Sequence, residues 1–363
     1  MPQKIKFGVN IDAGSWTEVM EELHKKVPIS LYCNVYADFC MYLRQHIPGM
    51  TQPQIYLKVP GCWTGGHQEN LAMRAININH GPGDVEWYFI DSPYVSKFRQ
   101  AVKDEFDVDI HAAEGLWFID LEFCIKHNIQ VGMFIQEAGD CVVLAPGVLH
   151  WVRSHEEALH SAWNCGEYSL NQLKWMDSRW KINLEINFRN LIPAQTCWLD
   201  IINLGFKNLD NECWSWLFKQ MKTILRKNED EFDEFYKWND KKKHGIVLNK
   251  DDPNNNMILV CSNCFHEIFN FWGYCESLRE DGIFCWKCFK IHVDSSKKHN
   301  ADCLASRHIA WRKYHREDLK LLMDIARNLE DFVDRKNYDG TVLVYNLCAD
   351  EQYIFRDNYS NLK

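Results

Sequence analysis

Two groups of side chains in this sequence have the types and spacing of metal ligands. The first begins with His67-Gln68-Glu69, directly after the Gly65-Gly66 pair. Side chains two positions apart on an extended segment point to the same side, so this histidine and this carboxylate can bind one ion together. One more histidine would complete two imidazoles and a carboxylate, a set typical of non-haem Fe(II) sites with open coordination positions.

His150 is the best candidate for the third ligand. It follows a strand pattern and the Pro146-Gly147 turn, so it lies on a strand that can return toward the first two ligands. His155 and His160 are rival third ligands, although neither follows such a turn. A histidine and a glutamate at this spacing also occur by chance, as a polar pair without a metal.

The second group consists of two Cys-x-x-Cys pairs, Cys261 with Cys264 and Cys285 with Cys288. This spacing predicts a closed tetrahedral zinc site of four thiolates, which would be structural and not catalytic. The alternative is four free thiols. Four nearby side chains could replace a ligand or hold a second ion but are interpreted as bystanders: His266, Cys275, His292 and Cys303.

The bulk composition is that of a globular protein. Of the 363 residues, 46% are hydrophobic and 25% are charged. The net charge of -9 argues against direct sequence-specific DNA binding and suits a basic partner. The sequence starts without an apolar signal region and has no run of 18 apolar residues, so we expect reduced cysteines and no membrane contact.

The secondary structure predicted to position these ligands consists of helices in some parts of the chain and short strands in others. Helices are predicted from the capping box at Ser15 to Lys26, from Ala37 to His46, within 94–126, across 169–245 and from Glu317 to Arg335. Short strands separated by turns predict a barrel or sandwich. The predicted strands are 54–59, 74–79, 86–90, 131–136, 141–144, 149–153, 161–165 and 341–345.

The residues around the first ligand group resemble JmjC domains. Four stretches carry the resemblance: Tyr56 to Asn70, Asn77 to Trp87, Gly139 to Val152 and Ala162 to Asn164. They are most similar to the UTX-like branch of the family, the demethylases of lysine 27 on histone H3. The similarity extends from Ile5 to about residue 330.

The resemblance implies a mixed α+β fold in which a double-stranded β-helix of the jelly-roll or cupin type has flanking helices and a small C-terminal zinc-binding domain. It implies that His67, Glu69 and His150 bind Fe(II). Four residues would line or contact the site of the co-substrate 2-oxoglutarate: Tyr56, Lys58, Thr64 and Asn77. The expected divisions are an N-terminal region (1–50), the JmjC barrel (51–195), a helical linker (196–255), the zinc domain (256–335) and a tail (336–363).

The implied activity is oxidative demethylation of di- or trimethylated lysine 27 on histone H3. With Fe(II) as the cofactor, 2-oxoglutarate and O2 would be consumed in a reaction that releases formaldehyde, succinate and CO2, and structural Zn(II) would support recognition of the histone tail. The implied partners are the N-terminal tail of histone H3 and chromatin complexes, and the implied location is the nucleus. The alternatives are a JmjC protein hydroxylase and a non-catalytic chromatin-binding scaffold.

Three positions depart from the family pattern. Ala75 stands where close relatives have a serine that contacts the co-substrate, Trp63 replaces an arginine, and Gly65 replaces a proline. Losing one hydrogen bond costs about 1 kcal/mol, so Ala75 predicts weaker 2-oxoglutarate binding without abolishing it.

Overall fold

The structure is a computed structural model that divides into two compact units, residues 1–192 and 193–363. It describes residues 8–28, 31, 38–42, 46–113, 115, 117–204, 209–242, 248–250, 259–275, 282–295, 307–311, 319–324, 326 and 327. Several sequence predictions lie outside these residues: the strand at 341–345, the tail at 336–363, Cys303 and most of the helix at 317–335. Within the described residues, no helix combines the length and apolar character needed to cross a membrane.

The first unit contains two antiparallel sheets. One has the order β1-β2-β9-β4-β7 and consists of β1 (Gly8–Asp12), β2 (Gln54–Lys58), β4 (Arg74–Pro82), β7 (Cys141–Leu144) and β9 (Ala158–Cys165). The other has the order β3-β8-β5-β6 and consists of β3 (Trp63–His67), β5 (Val85–Ile90), β6 (Gly132–Gln136) and β8 (Leu149–Ser154).

Apolar side chains from both sheets form a shared core. Trp87 and Val152 from the second sheet cluster with Ala75, Leu144 and Ala158 from the first. Alternation along each strand puts these residues on one face, so burying that face holds the sheets together. The sequence patterns predicted seven of the nine strands to within a few residues, but they missed β1 and the strand character of β3.

Four helices accompany the sheets: α1 (Thr17–Lys26), α2 (Ser92–Phe106), α3 (Leu121–Lys126) and α4 (Leu170–Glu185). A second core joins α2 and α3 to the second sheet, where Phe98 and Phe123 cluster with Trp151. Together with the antiparallel sheets, these helices confirm the mixed α+β class.

Two helix predictions need correction. The predicted helix α1 is present, but its N-cap residue is Trp16 and no side chain caps it, so the capping box at Ser15 does not form. The described part of the helix expected from Ala37 to His46 is a single 3-10 turn, Phe39–Tyr42. The Asp38 carboxylate accepts the backbone N–H groups of Cys40 and Gly166 there, which favours a tight turn over a longer helix.

The second unit combines helices with short strands. Its helices are α5 (Ala194–Leu204), α6 (Asn211–Lys242) and α7 (Trp286–Ser295). One sheet has the order β10-β15-β13-β14, and β11 pairs with β12. These strands are β10 (Leu248–Lys250), β11 (Leu259–Val260), β12 (Glu267–Ile268), β13 (Phe271–Cys275), β14 (Ile283–Cys285) and β15 (Arg307–Trp311).

A buried carboxylate ties the strands of the second unit to its first helix. Glu267 in β12 accepts the backbone N–H groups of Gln195 and Thr196, at 3.0 and 3.1 Å, and the Thr196 hydroxyl at 3.0 Å. These donors lie at the N-terminus of α5, where backbone N–H groups lack partners within the helix. The region predicted to be a helical linker, 196–255, lies in this unit and contains α5, α6 and β10.

Candidate functional site

The three predicted iron ligands meet at one end of the second sheet. His67 closes β3 and is the register partner of His150 in β8, and Glu69 follows two residues after His67. The Glu69 Oε1 atom lies 3.9 Å from His67 Nε2 and 3.6 Å from His150 Nε2. Since ligand atoms bind a transition metal at about 2.1 Å, two of them on one ion lie no more than about 4 Å apart, and these spacings fit a single ion.

Backbone carbonyls orient both imidazoles for metal binding. His67 Nδ1 lies 2.9 Å from the Gly65 carbonyl oxygen, and His150 Nδ1 lies 3.5 Å from that of Val148. A carbonyl accepts only, so each Nδ1 donates and each Nε2 keeps its lone pair for a metal. Burial lowers the pKa of His150 well below its usual value, which keeps that imidazole neutral and able to coordinate.

Asn164 orients the carboxylate of the same set. Its amide nitrogen donates to Glu69 Oε2 at 2.8 Å, so the other oxygen, Oε1, faces the two histidines. Asn164 belongs to the stretch that carries the family resemblance, but its role was not predicted. No local sequence signal pointed to this role, because Asn164 and Glu69 are 95 positions apart in the sequence and lie on different elements.

The two rival histidines have other partners. His155 is exposed, and its Nε2 atom lies 3.3 Å from Glu86 Oε2. His160 is fully buried, but its Nδ1 atom lies 2.7 Å from Asn77 Oδ1. Among the described residues, the only sets of at least three potential ligands whose binding atoms lie within 4.8 Å of one another are His67-Glu69-His150 and the cysteine group.

A cavity of about 370 Å³ lies over the three ligands, within the usual size range of ligand pockets. All four predicted co-substrate residues line it: Tyr56, Lys58, Thr64 and Asn77. Ala75 lines it as well and offers only a methyl group where a hydroxyl was expected in the family pattern. The Tyr56 hydroxyl is hydrogen-bonded to Asn10 and Gln54, at 2.9 and 3.2 Å. The Tyr56 ring therefore forms part of the cavity wall, and its hydroxyl is already engaged by these two residues.

Among the residues that line the cavity, Lys58 does most to determine which class of ligand can bind there. Its side chain is buried, and within the described part of the chain no carboxylate lies within ion-pair distance of its amine. This burial lowers the pKa of Lys58 to about 7. A buried cation without a counter-charge is costly, and a ligand carboxylate would remove that cost. The donor set of this cavity therefore fits an anionic carboxylate compound.

A buried polar chain from α4 supports the segment that bears the ligands, and it was not predicted. Arg179 donates to Gln68 Oε1 at 3.3 Å and also contacts His111. Gln68 is the residue between His67 and Glu69, and its amide donates to the Gly147 carbonyl beside the third ligand. These two contacts of Gln68 hold the segment between His67 and Glu69 against α4 and against the turn that precedes His150.

The four predicted zinc ligands come together in the second unit. Cys261 follows β11, Cys264 is three residues further on, Cys285 ends β14, and Cys288 lies in the first turn of α7. The Sγ atoms of Cys264 and Cys285 are 3.8 Å apart, which matches the separation of about 3.8 Å between thiolates that bind one zinc tetrahedrally at about 2.3 Å. A hydrogen bond from Cys285 lowers the pKa of Cys261, and the same hydrogen bond together with burial raises the pKa of Cys285.

The comparisons with known proteins agree with this arrangement. Residues 54–165 match the model of the JmjC domain, hydroxylase. The chain is 34% identical over 192 residues to lysine-specific demethylase 6B of Homo sapiens and 24% identical over 306 residues to lysine-specific demethylase jmjd-3.1 of Caenorhabditis elegans. These alignments cover 52% and 81% of this chain.

The same alignments cover only 11% and 27% of those two relatives, so the chain corresponds to a small part of each. A third relative, lysine-specific demethylase ELF6 of Arabidopsis thaliana, is 22% identical over 134 residues, which is 35% of this chain and 10% of that protein. The matched region contains the candidate ligands His67, Glu69 and His150 together with the buried Lys58. The chain therefore carries a JmjC domain and is related to the lysine-specific demethylases.

Proposed function

We propose that this protein is an Fe(II)- and 2-oxoglutarate-dependent dioxygenase that demethylates lysine on histone H3, with di- and trimethylated lysine 27 as its substrate. The observation that supports this most directly is the pairing of His67, Glu69 and His150 with the buried, unpaired Lys58 in one cavity. The metal set and the carboxylate-binding cation are the two parts that such a dioxygenase needs.

In this proposal each residue of the site has a stated role. His67, Glu69 and His150 hold Fe(II) and leave positions open for the co-substrate and O2, and the chemistry supplied by the bound iron is the oxidation of the N-methyl group. Lys58 and Thr64 bind the distal carboxylate of 2-oxoglutarate, and Asn77 donates a further hydrogen bond to the co-substrate. Tyr56 forms part of the wall. 2-Oxoglutarate would become succinate with release of CO2 and uptake of one oxygen atom of O2, while the other oxygen atom would leave in formaldehyde, so that the lysine carries one methyl group fewer.

The choice of lysine 27 rests on the resemblance to the UTX-like branch. The cysteine group supports it, since a zinc domain after the JmjC domain is part of that branch's pattern and would contact the histone tail beside the target lysine. The net charge of -9 suits a basic histone tail. We further propose that the protein works with chromatin complexes in the nucleus and makes no direct sequence-specific contact with DNA.

The experiment that tests this is mass spectrometry of a histone H3 peptide trimethylated at lysine 27. The purified protein is incubated with Fe(II), 2-oxoglutarate and ascorbate, beside a His67→Ala control. We expect stepwise loss of methyl groups in the first sample and none in the control. H3 peptides trimethylated at other lysines, run in parallel, measure the site preference.

Two outcomes would replace the proposal. Added oxygen without loss of a methyl group would make the protein a hydroxylase of the same fold. Unchanged peptides, together with no binding of 2-oxoglutarate, would favour a chromatin-binding scaffold. Ala75 is the observation that favours the scaffold, because it removes one expected contact with the co-substrate.

A further inference from the structure

Asn77 lies in the cavity wall, and a chain of buried side chains holds its carboxamide. The Asn77 Oδ1 atom lies 2.7 Å from His160 Nδ1 and 3.4 Å from Gln136 Nε2. Gln136 Oε1 in turn lies 2.9 Å from the indole nitrogen of Trp87. Trp87, Gln136 and His160 are all at most 1% exposed, so solvent does not complete or disrupt this chain.

The donor and the acceptor of each hydrogen bond in this series of side chains can be assigned one after another, starting from Trp87. An indole N–H only donates, so the Gln136 atom facing Trp87 must be the oxygen, and Gln136 Nε2 is then a donor. The same nitrogen lies 3.1 Å from the backbone carbonyls of Asn77 and Asp140, which only accept. Gln136 Nε2 cannot accept a hydrogen bond, so the Asn77 atom 3.4 Å from it is the oxygen and not the amide nitrogen, and His160 must donate to that oxygen from Nδ1.

This assignment gives His160 a single polar role. Its Nε2 atom is buried and has no hydrogen-bond partner among the described residues, so the bond to Asn77 is the imidazole's one hydrogen bond there. Burial, with smaller contributions from Lys58 and His80, lowers the pKa of His160 to about 3. The ring is therefore neutral at physiological pH and keeps the Nδ1–H form.

We propose that Trp87, Gln136 and His160 are positioning residues that lock the Asn77 carboxamide with its oxygen inward and its amino group toward the cavity, as a donor to a carboxylate. This inference rests on the proposed co-substrate. It also links the two halves of the site, because the Trp87 ring that starts the chain stacks on His150 with ring centroids 5.4 Å apart.

The test measures 2-oxoglutarate affinity by calorimetry on the full chain, with Mn(II) in place of Fe(II) so that no turnover occurs. His160→Phe keeps a flat ring but removes the donor, and we expect it to weaken binding about tenfold or more, as for a lost hydrogen bond to a charged group. His160→Asn places an amide nitrogen near the position of Nδ1 and should restore binding. Mn(II) affinity should stay unchanged in both variants.

A double-mutant cycle separates positioning from direct contact. If His160 acts through Asn77, then His160→Phe should have no further effect in an Asn77→Ala background. Gln136→Glu is a second variant, in which a carboxylate cannot donate to Asn77, and we expect it to weaken binding as well. Histidine-selective nitrogen NMR should assign His160 as the Nδ1–H tautomer, with His160→Asn identifying its signal.

Three results would overturn the inference while the proposed function stands: wild-type affinity in His160→Phe, an equal loss in the Asn77→Ala background, or an Nε2–H tautomer. If the wild-type protein binds no 2-oxoglutarate at all, the proposed function fails and this inference fails with it. The two failures are thus distinguished by the wild-type measurement alone.

Discussion

At the scale of single residues, the Glu69 carboxylate depends on Asn164. A carboxylate that binds a metal through one oxygen is best held when its other oxygen has a fixed hydrogen-bond partner. The Asn164 amide provides that partner at 2.8 Å from Glu69 Oε2. Asn164 is buried in β9, a strand of the first sheet, whereas Glu69 follows β3 of the second sheet. A side chain of the first sheet therefore orients a carboxylate that the second sheet positions.

We predict that Asn164→Ala weakens metal binding about ten- to hundredfold, the range seen when a residue that supports a metal ligand is lost. The measurement is Mn(II) affinity by calorimetry, with thermal unfolding to check that the fold persists. His155→Ala is the matched control, since His155 is exposed and outside the ligand set. Equal Mn(II) affinity in Asn164→Ala and wild type would contradict the prediction.

A second residue-scale prediction concerns the pH dependence of co-substrate binding. Burial lowers the pKa of Lys58 to about 7, so the empty cavity loses the lysine proton as pH rises above 7. A bound carboxylate favours the charged amine, so binding above this pH must take up a proton. We expect the Kd for 2-oxoglutarate to rise from pH 7 to pH 9, by up to about tenfold per pH unit.

Calorimetry in buffers of different ionisation enthalpy measures both this Kd and the proton uptake. Lys58→Arg is the control, because a guanidinium stays charged throughout this range and should flatten the pH dependence of whatever binding remains. A Kd that is constant between pH 7 and pH 9 in the wild-type protein would show that Lys58 is not the group that binds the carboxylate.

At the scale of elements, β3 is held in place by close backbone contacts that only glycine allows. Gly66 N donates to the Trp117 carbonyl at 2.8 Å, and Gly115 N donates to the Gly66 carbonyl at 3.0 Å. A Cβ atom on Gly65 would lie 2.1 Å from the Gly115 carbonyl oxygen. This contact explains why Gly65, a departure from the family pattern, suits this chain.

We predict that Gly66→Ala lowers both stability and metal affinity. Its Cβ atom would lie 2.5 Å from the indole ring of Trp151, which is fully buried and packed against Phe98. Overpacking of this kind costs about 1–3 kcal/mol, and the shift of β3 would move His67 away from the other ligands. Denaturant unfolding and Mn(II) calorimetry measure the two effects. A variant with wild-type values for both would show that Trp151 accommodates the methyl group.

The strands of the first unit were largely predictable, and the reason lies in their patterns. Clear turn signals and β-branched or aromatic residues mark four of these strands, β2, β4, β5 and β9. Their bounds in the structure agree with the predicted ones to within about three residues at each end. β3 was missed because Trp63 to His67 contains two glycines, which local propensity assigns to a turn. Pairing with β8 makes it a strand, and that pairing is a tertiary effect.

At the scale of the whole molecule, the chain contains two compact units, each with buried apolar residues of its own. Among the described residues of the first unit, three apolar clusters involve its sheets. The second unit brings four cysteines within metal-binding distance of one another among short strands, of which β11 and β12 have two residues each. Aromatic side chains such as Phe235, Phe271 and Trp286 pack together in this unit, whereas β11 and β12 are too short to hold the cysteine-bearing turns by strand pairing alone, so a structural metal would fix those turns.

We predict that Cys285→Ser abolishes binding of one zinc equivalent and locally unfolds residues 259–264 and 285–288, while Mn(II) binding at His67 persists. Elemental analysis measures the zinc, and hydrogen exchange measures the local unfolding. Cys275→Ala is the control, because Cys275 lies outside the four-cysteine group and should leave the zinc content unchanged. Full zinc retention in Cys285→Ser would contradict a four-thiolate site.

The sequence by itself determined the candidate metal-binding groups of this protein, through the residue types and spacing of the His67 group and the four cysteines, and it predicted most strands of the first unit. These features are local, because periodicity and spacing are properties of neighbouring residues. Only the tertiary structure decided which histidine completes the set, since His150 and His160 differ in what faces them across the sheets. It also decided the roles of Asn164 and Gln136, whose partners lie on other strands and leave no local signal.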